Sequence, residues 1–226
     1  MANLIQLKMM EDLDGILLVD KPEGMQFSTV IKTLKRKFGL VKVGHGGALD
    51  TMASGLFVLL VGGANKFTET LMNADRAYEG VFIKGKSTDT GDIYGREIPQ
   101  PERLATLDEL KGDVFQIEPR YCAVRREGAV DYEVVDTGEH KQFLAHVYKF
   151  DVSDDPASEE VHFSLLTSKG VIVRSLVAEM GCVLSSLRRT RVGKFNVADA
   201  VAFSKILEMD SGEFSSCVIP ASRALL

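Results

Sequence analysis

The stretch Gly44–Gly55, read as GHGGALDTMASG, sets one histidine and one acid among four glycines. Asp50 is open to two readings. It is either a carboxylate held ready to attack or to stabilise developing positive charge, or a cap at which the chain turns at Thr51. His45 is either a turn residue with a satisfied imidazole or a flat ring offered to a ligand. Glycines 44, 46 and 47 permit backbone angles that other residues resist, and they let a second backbone or a flat ligand come close. No G-x-G-x-x-G pattern is present, so the glycines do not make a dinucleotide loop. The cysteines Cys122, Cys182 and Cys217 are odd in number and show no C-x-x-C spacing. A disulfide framework and a zinc site are both disfavoured, and a reducing compartment fits. No metal and no cofactor is implied.

Charge is segregated along the chain. Lys32, Lys35, Arg36, Lys37 and Lys42 fall in one run without an acid, and Arg188, Arg189, Arg191 and Lys194 in another. Residues 150–160, FDVSDDPASEE, reverse the sign. With a net charge of −5, the chain is not basic all over, but the runs suit one basic face. The start lacks a basic segment followed by an apolar one, and no apolar run approaches a membrane span.

The elements that must position these residues are legible in outline. Residues 15–20, GILLVD, read as a buried strand ending in a turn. A helix follows, capped by Ser28, with Val30, Ile31, Leu34 and Phe38 on one face and Gly39 at its C-terminal cap. After the glycine-rich loop comes an apolar run, 56–61, then a helix over 64–73. Strands are expected at 78–84, 143–152, 161–166 and 184–195, and helices at 172–180 and 197–207, the last capped by Asn196. Residues 88–95 are turn-rich, and 125–142 lack a clear period. Strands and helices interleave without a regular βαβ beat, which points to α+β with a mixed or antiparallel sheet. A chain of 226 residues fits one domain.

Several motifs then stand in a telling order: GILLVDKPEGMQFS, the helix with Lys35, GHGGALDTMASG, and Gly85-x-x-Thr88-Asp89-Thr90-x-Asp92-x-x-Gly95. Pro119–Ala123, Gly128–Tyr132, Ser168–Leu176 and Leu187–Phe195 complete the set. Together they resemble the TruB family of transfer-RNA pseudouridine synthases, which act on uridine 55 of the T loop. The resemblance covers nearly the whole chain. It implies a pseudouridine-synthase-like fold, a mixed, mainly antiparallel sheet flanked by helices. It also implies one catalytic domain over 1–226 with an RNA-clasping, thumb-like insertion at about 125–142.

By resemblance, Asp50 is the catalytic aspartate, Tyr78 the pocket tyrosine and Arg174 the arginine that holds the carboxylate ionised. His45 is the loop histidine that helps displace the target base, which must be flipped from the folded loop. Gly46, Gly47, Leu49, Ile172 and Lys21 belong to the substrate pocket. Lys32, Lys35, Arg36, Arg188, Arg189 and Arg191 track RNA phosphates. The reaction breaks the ribose C1′–uracil N1 bond, turns the base and joins C1′ to C5, with no redox step and no metal.

The chain departs from the family pattern in places. Thr51 stands where proline is usual, which leaves the loop less stiff. Cys122 and Arg125 replace serine and lysine, and Ile172 replaces an aromatic residue. The chain stops soon after Ser222, without the C-terminal PUA-type domain of many relatives, which implies a weaker grip on the acceptor end. The implied partner is transfer RNA, with the enzyme a cytoplasmic monomer that needs no protein partner. Ile172 and the missing domain also suit an RNA-binding folding helper with little or no catalysis, and a synthase acting on another RNA is a third reading.

Overall fold

The computed structural model describes residues 13–117, 121–126, 129–134 and 142–224. The chain divides into two compact units, the first made of residues 1–74 and 188–226 and the second of 75–187. The start, read above as lacking a leader, lies largely outside the described residues.

In the first unit, β1 (Gly15–Lys21) is followed by helix α1 (Phe27–Phe38), the short β2 (Val43–His45), β3 (Ser54–Val61), a 3-10 stretch (Gly62–Phe67) and helix α2 (Thr68–Met72). β1 and β3 pair antiparallel from Gly15↔Val61 to Lys21↔Gly55. Both are apolar on both faces because both faces are covered. Helix α1 buries Phe27, Val30, Leu34 and Phe38 and keeps its lysines outside, as its 3.6-residue period dictates. Gly39 closes it in the left-handed region at φ 67°. Ser28 does not cap it: the cap position is Gln26, two residues earlier, and makes no side-chain capping bond.

The second unit opens with β4 (Arg76–Lys84), then β5 (Gly112–Ile117), β6 (Tyr121–Arg126), β7 (Ala129–Val134), β8 (Gln142–Asp154), β9 (Glu160–Thr167), helix α3 (Val173–Ala178) and the start of β10 (Cys182–Val192). β4, β9, β8 and β5 form a continuous antiparallel run. Its inner face carries Phe82, Phe150 and Phe163, the first two rings lying 5.9 and 5.8 Å from the third. β6 and β7 pair as a separate antiparallel ribbon, so residues 125–126 and 129–134 of the stretch that shows no period are strand. Residues 127–128 and 135–141 of that stretch lie outside the described residues.

The second half of β10 belongs to the first unit, where Arg188 and Arg189 run parallel to Ser54 and Gly55 of β3. The chain ends with β11 (Phe195–Asn196), β12 (Val201–Ala202), helices α4 (Phe203–Glu208) and α5 (Ser211–Cys217), β13 (Ile219–Pro220) and helix α6 (Ala221–Ala224). The helix expected over 197–207 is broken into a 3-10 turn, a two-residue strand beside β1 and α4, and Asn196 makes no side-chain cap. Pairing of Val201 and Ala202 with Val19 and Asp20 outweighs the local helical pattern. Asp210 and Glu213 form a reciprocal capping box on α5. The sheet is mixed and mainly antiparallel, with helices, as expected from the interleaved elements. Among the described residues no helix is long and apolar enough to cross a membrane.

Candidate active site

In the first unit the glycine-rich loop leaves β2 and returns as β3. His45 ends β2, with its ring 5.3 Å from Phe27 and 5.9 Å from Phe57. Its Nδ1 accepts a hydrogen bond from the Gly47 N–H at 3.2 Å. That bond fixes the Nε2–H tautomer, because an accepting Nδ1 cannot carry the proton. Gly46 has a packing reason rather than the RNA-approach reason its type suggested. Its N–H donates to Val58, and a Cβ there would sit 3.0 Å from Leu71 Cβ. Leu49 is also turned inward, 4% exposed, and anchors the loop through its side chain.

Two buried cations hold this loop from opposite sides. Lys21, fully buried, donates to the carbonyls of Pro22 (2.9 Å), Met25 (2.7 Å) and Thr51 (3.4 Å). The Gly24 N–H meets the same Thr51 carbonyl at 2.8 Å. Arg189, 1% exposed, sends Nε to the Leu56 carbonyl (2.8 Å), Nη1 to Ala48 (2.8 Å) and Nη2 to Gly47 (3.2 Å). Asp50 lies between the held segments, half-buried, and its carbonyl accepts from Ala53. Burial pushes the Lys21 ammonium down to about 8; the nearby Asp50 and Glu23 oppose that fall and Arg189 adds to it.

Two assignments made from sequence are corrected here. Lys21 exposes no side chain to a substrate, and Arg189 cannot reach an RNA phosphate, because each is enclosed by carbonyls of its own unit. Arg188 forms a bidentate pair with Asp20, at 3.0 and 2.7 Å, and Arg191 turns onto the Gly193 carbonyl. Arg188 and Arg191 thus have protein partners but remain partly exposed, unlike Arg189. Lys32, Lys35 and Arg36 stand exposed on α1 and fit the phosphate-facing reading.

In the second unit Tyr78 lies on β4 opposite Leu165 and is 6% exposed. Arg174 is 5% exposed near the start of α3 and donates from Nη1 to the Thr90 carbonyl at 2.7 Å. The Thr88–Gly95 turn that presents this carbonyl is cross-tied. Thr90 Oγ1 donates to Asp92 Oδ1 at 2.8 Å, and the Tyr94 N–H meets the same oxygen at 3.0 Å. Ile172, half-buried, precedes α3, and its backbone is held at both ends by one side chain. Gln116, fully buried on β5, accepts from the Ile172 N–H (2.9 Å) and donates to its carbonyl (3.1 Å). A lone glutamine in a strand carries no sequence signal, and Gln116 was not anticipated.

Residues 80–87, GVFIKGKS, fit the phosphate-loop string G-x-x-x-x-G-K-[ST] in letters. Gly80–Lys84 is the latter part of β4 and no helix follows Ser87, so these N–H groups are not gathered at a helix start. Lys86 instead lies 3.8 Å from Glu159.

Residues 35–173 match the model of the TruB family pseudouridylate synthase, N-terminal domain. The chain belongs to this family. It is accordingly a pseudouridine synthase, an isomerase acting on RNA. A tRNA pseudouridine synthase B of Aromatoleum aromaticum is 34% identical over 210 residues, covering 86% of this chain and 68% of that protein. One of Opitutus terrae is 33% identical over 231 residues, covering 95% of each. Among solved structures, a Cbf5-Nop10-Gar1 complex contains a chain with the same fold, at a TM-score of 0.66 and 22% identity. That match covers 97% of this chain and 63% of the other. The sequence-based expectation of a TruB-family, pseudouridine-synthase fold is thus met.

Proposed function

We propose that the chain isomerises uridine 55 in the T loop of transfer RNA to pseudouridine, with Asp50, Tyr78 and Arg174 as its catalytic residues. The observation that carries this reading is the Asp50 loop of a TruB-family chain. One carboxylate sits there on a backbone gripped on both flanks, as a reacting group must be. Asp50 acts on the sugar, as nucleophile or as stabiliser of positive charge at C1′. The C1′–N1 bond breaks, the uracil turns in place, and C1′ joins C5, whose proton is then released. His45 fills the space left by the flipped base, with Gly47 holding its ring, and Ile172 presses on the uracil face. Lys32, Lys35 and Arg36 engage phosphates, and the insertion at about 125–142 clasps the RNA. The 226 residues work as one catalytic domain, as a monomer and in the cytoplasm.

The test is release of tritium from C5-labelled uridine in a T stem-loop transcript. Wild type releases it and Asp50→Asn does not. Full activity in Asp50→Asn removes the catalytic assignment. Faster refolding of misfolded transfer RNA with no tritium release would instead support the folding-helper reading.

A further inference from the structure

We propose that Arg189 is a positioning residue for catalysis: it acts on the reaction through the backbone of the Asp50 loop and not through RNA. This inference rests on the reading of Asp50 as the reacting carboxylate. The guanidinium joins two segments, β3 and the loop before Asp50. Nε is fixed to β3 at the Leu56 carbonyl, while Nη1 and Nη2 hold the carbonyls of Ala48 and Gly47. The rigid part is β3, paired along its length with β1. The part that needs holding is the loop just before Asp50. Lys21 secures the other side at the Thr51 carbonyl. The carboxylate therefore projects from a peptide stretch with few remaining ways to turn.

The geometry also explains how the loop does without proline at 51. A proline stiffens by fixing its own φ. Here the Thr51 carbonyl has two donors, Lys21 and the Gly24 N–H, and the upstream carbonyls have Arg189. The three carbonyls are met by donors on three separate nitrogens of a planar fork; a lysine at 189 keeps the charge but gathers its donors on one nitrogen, which cannot reach the Leu56, Ala48 and Gly47 positions in the same way. Misplacement of a reacting group by about 1 Å lowers a rate about a hundredfold, so loss of the fork reads out in turnover.

The experiment measures single-turnover tritium release across enzyme concentrations for wild type, Arg189→Lys, Gly47→Ala, the double variant and Asp50→Asn. Circular dichroism fixes a temperature at which each is folded. Arg189→Lys is expected to lower the maximum rate about tenfold or more and to leave the half-saturating enzyme concentration within about twofold. Gly47→Ala disturbs the same hydrogen bond from the other end, since residue 47 sits at φ 129° and an alanine there reorients its peptide. It should reproduce the effect with Arg189 intact, and the double variant should lose less than the product of the two single losses. A wild-type maximum rate in Arg189→Lys overturns the proposal. So does weaker half-saturation at an unchanged maximum rate, which returns Arg189 to an RNA contact, and so does full multiplicativity in the double variant. Should Arg189→Lys fail to fold, Gly47→Ala decides alone: a wild-type maximum rate there overturns the proposal. Asp50→Asn separates the two readings, because its full activity removes the catalytic aspartate whatever position 189 does.

Discussion

Substitution of Lys21 by methionine tests whether a charged lysine is held inside the protein at neutral pH. Lys21 is fully buried, and its ammonium titrates at about 8 against an ordinary 10.5. Below about pH 8 both folded and unfolded chains carry the proton, and the desolvation cost is borne in full. Between about 8 and 10.5 the unfolded chain binds more protons than the folded one, so stability contributed by this site rises with pH. At ~1.36 kcal/mol per pH unit, the fall from 10.5 to about 8 amounts to ~3 kcal/mol. Lys21→Met removes the titration and keeps a chain of similar length. The difference between wild type and variant also cancels other alkaline titrations, including those of Cys182 and Cys217, whose thiols burial pushes up. Urea unfolding at steps from about pH 7 to pH 11 should show wild type gaining ~3 kcal/mol on Lys21→Met, nearly all of it above pH 8. A difference that stays flat, or that falls with pH, refutes the buried-ammonium account.

Three further outcomes follow from the geometry. Lys35→Gln, on the exposed face of α1, should weaken transcript binding and lower the slope of log K against log salt by about 0.7–0.9, read by titration at several salt concentrations. Gln116→Leu leaves the Ile172 N–H and carbonyl without their partner and should cost about 2–3 kcal/mol in urea unfolding, while slowing turnover through displacement of the start of α3. Asp210→Ala removes the capping box of α5 and should cost about 1 kcal/mol with no change in the maximum rate.

The sequence was informative where one local pattern decides. The apolar runs of β1 and β3 and the helical period of α1 can be satisfied only by burial, and all three elements lie where their patterns put them. It misled where a partner far along the chain decides. Residues 197–207 have a helical pattern, yet Val201 and Ala202 are drawn into the sheet by β1. The same limit governs the site. Asp50, Arg174 and the Thr88–Gly95 turn stand out by residue type and order. Arg189 looks like its neighbours in a basic run, and nothing local distinguishes a guanidinium facing phosphates from one facing carbonyls. The glycines misled in a related way: their small size is visible in the sequence, but whether ligand or protein uses the space is not. At Gly46 it is Leu71.

The position of Arg189 in the chain has a consequence for how the enzyme comes into being on the ribosome. It lies 133–142 residues after the carbonyls it holds. At ~5–20 residues per second of synthesis, the loop waits roughly 7–30 s between its own emergence and the arrival of its brace. Throughout that interval β1 and β3 can pair, being near neighbours in sequence, and the second unit can complete its antiparallel run. The nascent chain can thus pair much of its sheet before the Asp50 loop meets Arg189. Synthesis makes the fixing of that loop a late event relative to its own emergence, gated by a residue more than 130 positions downstream.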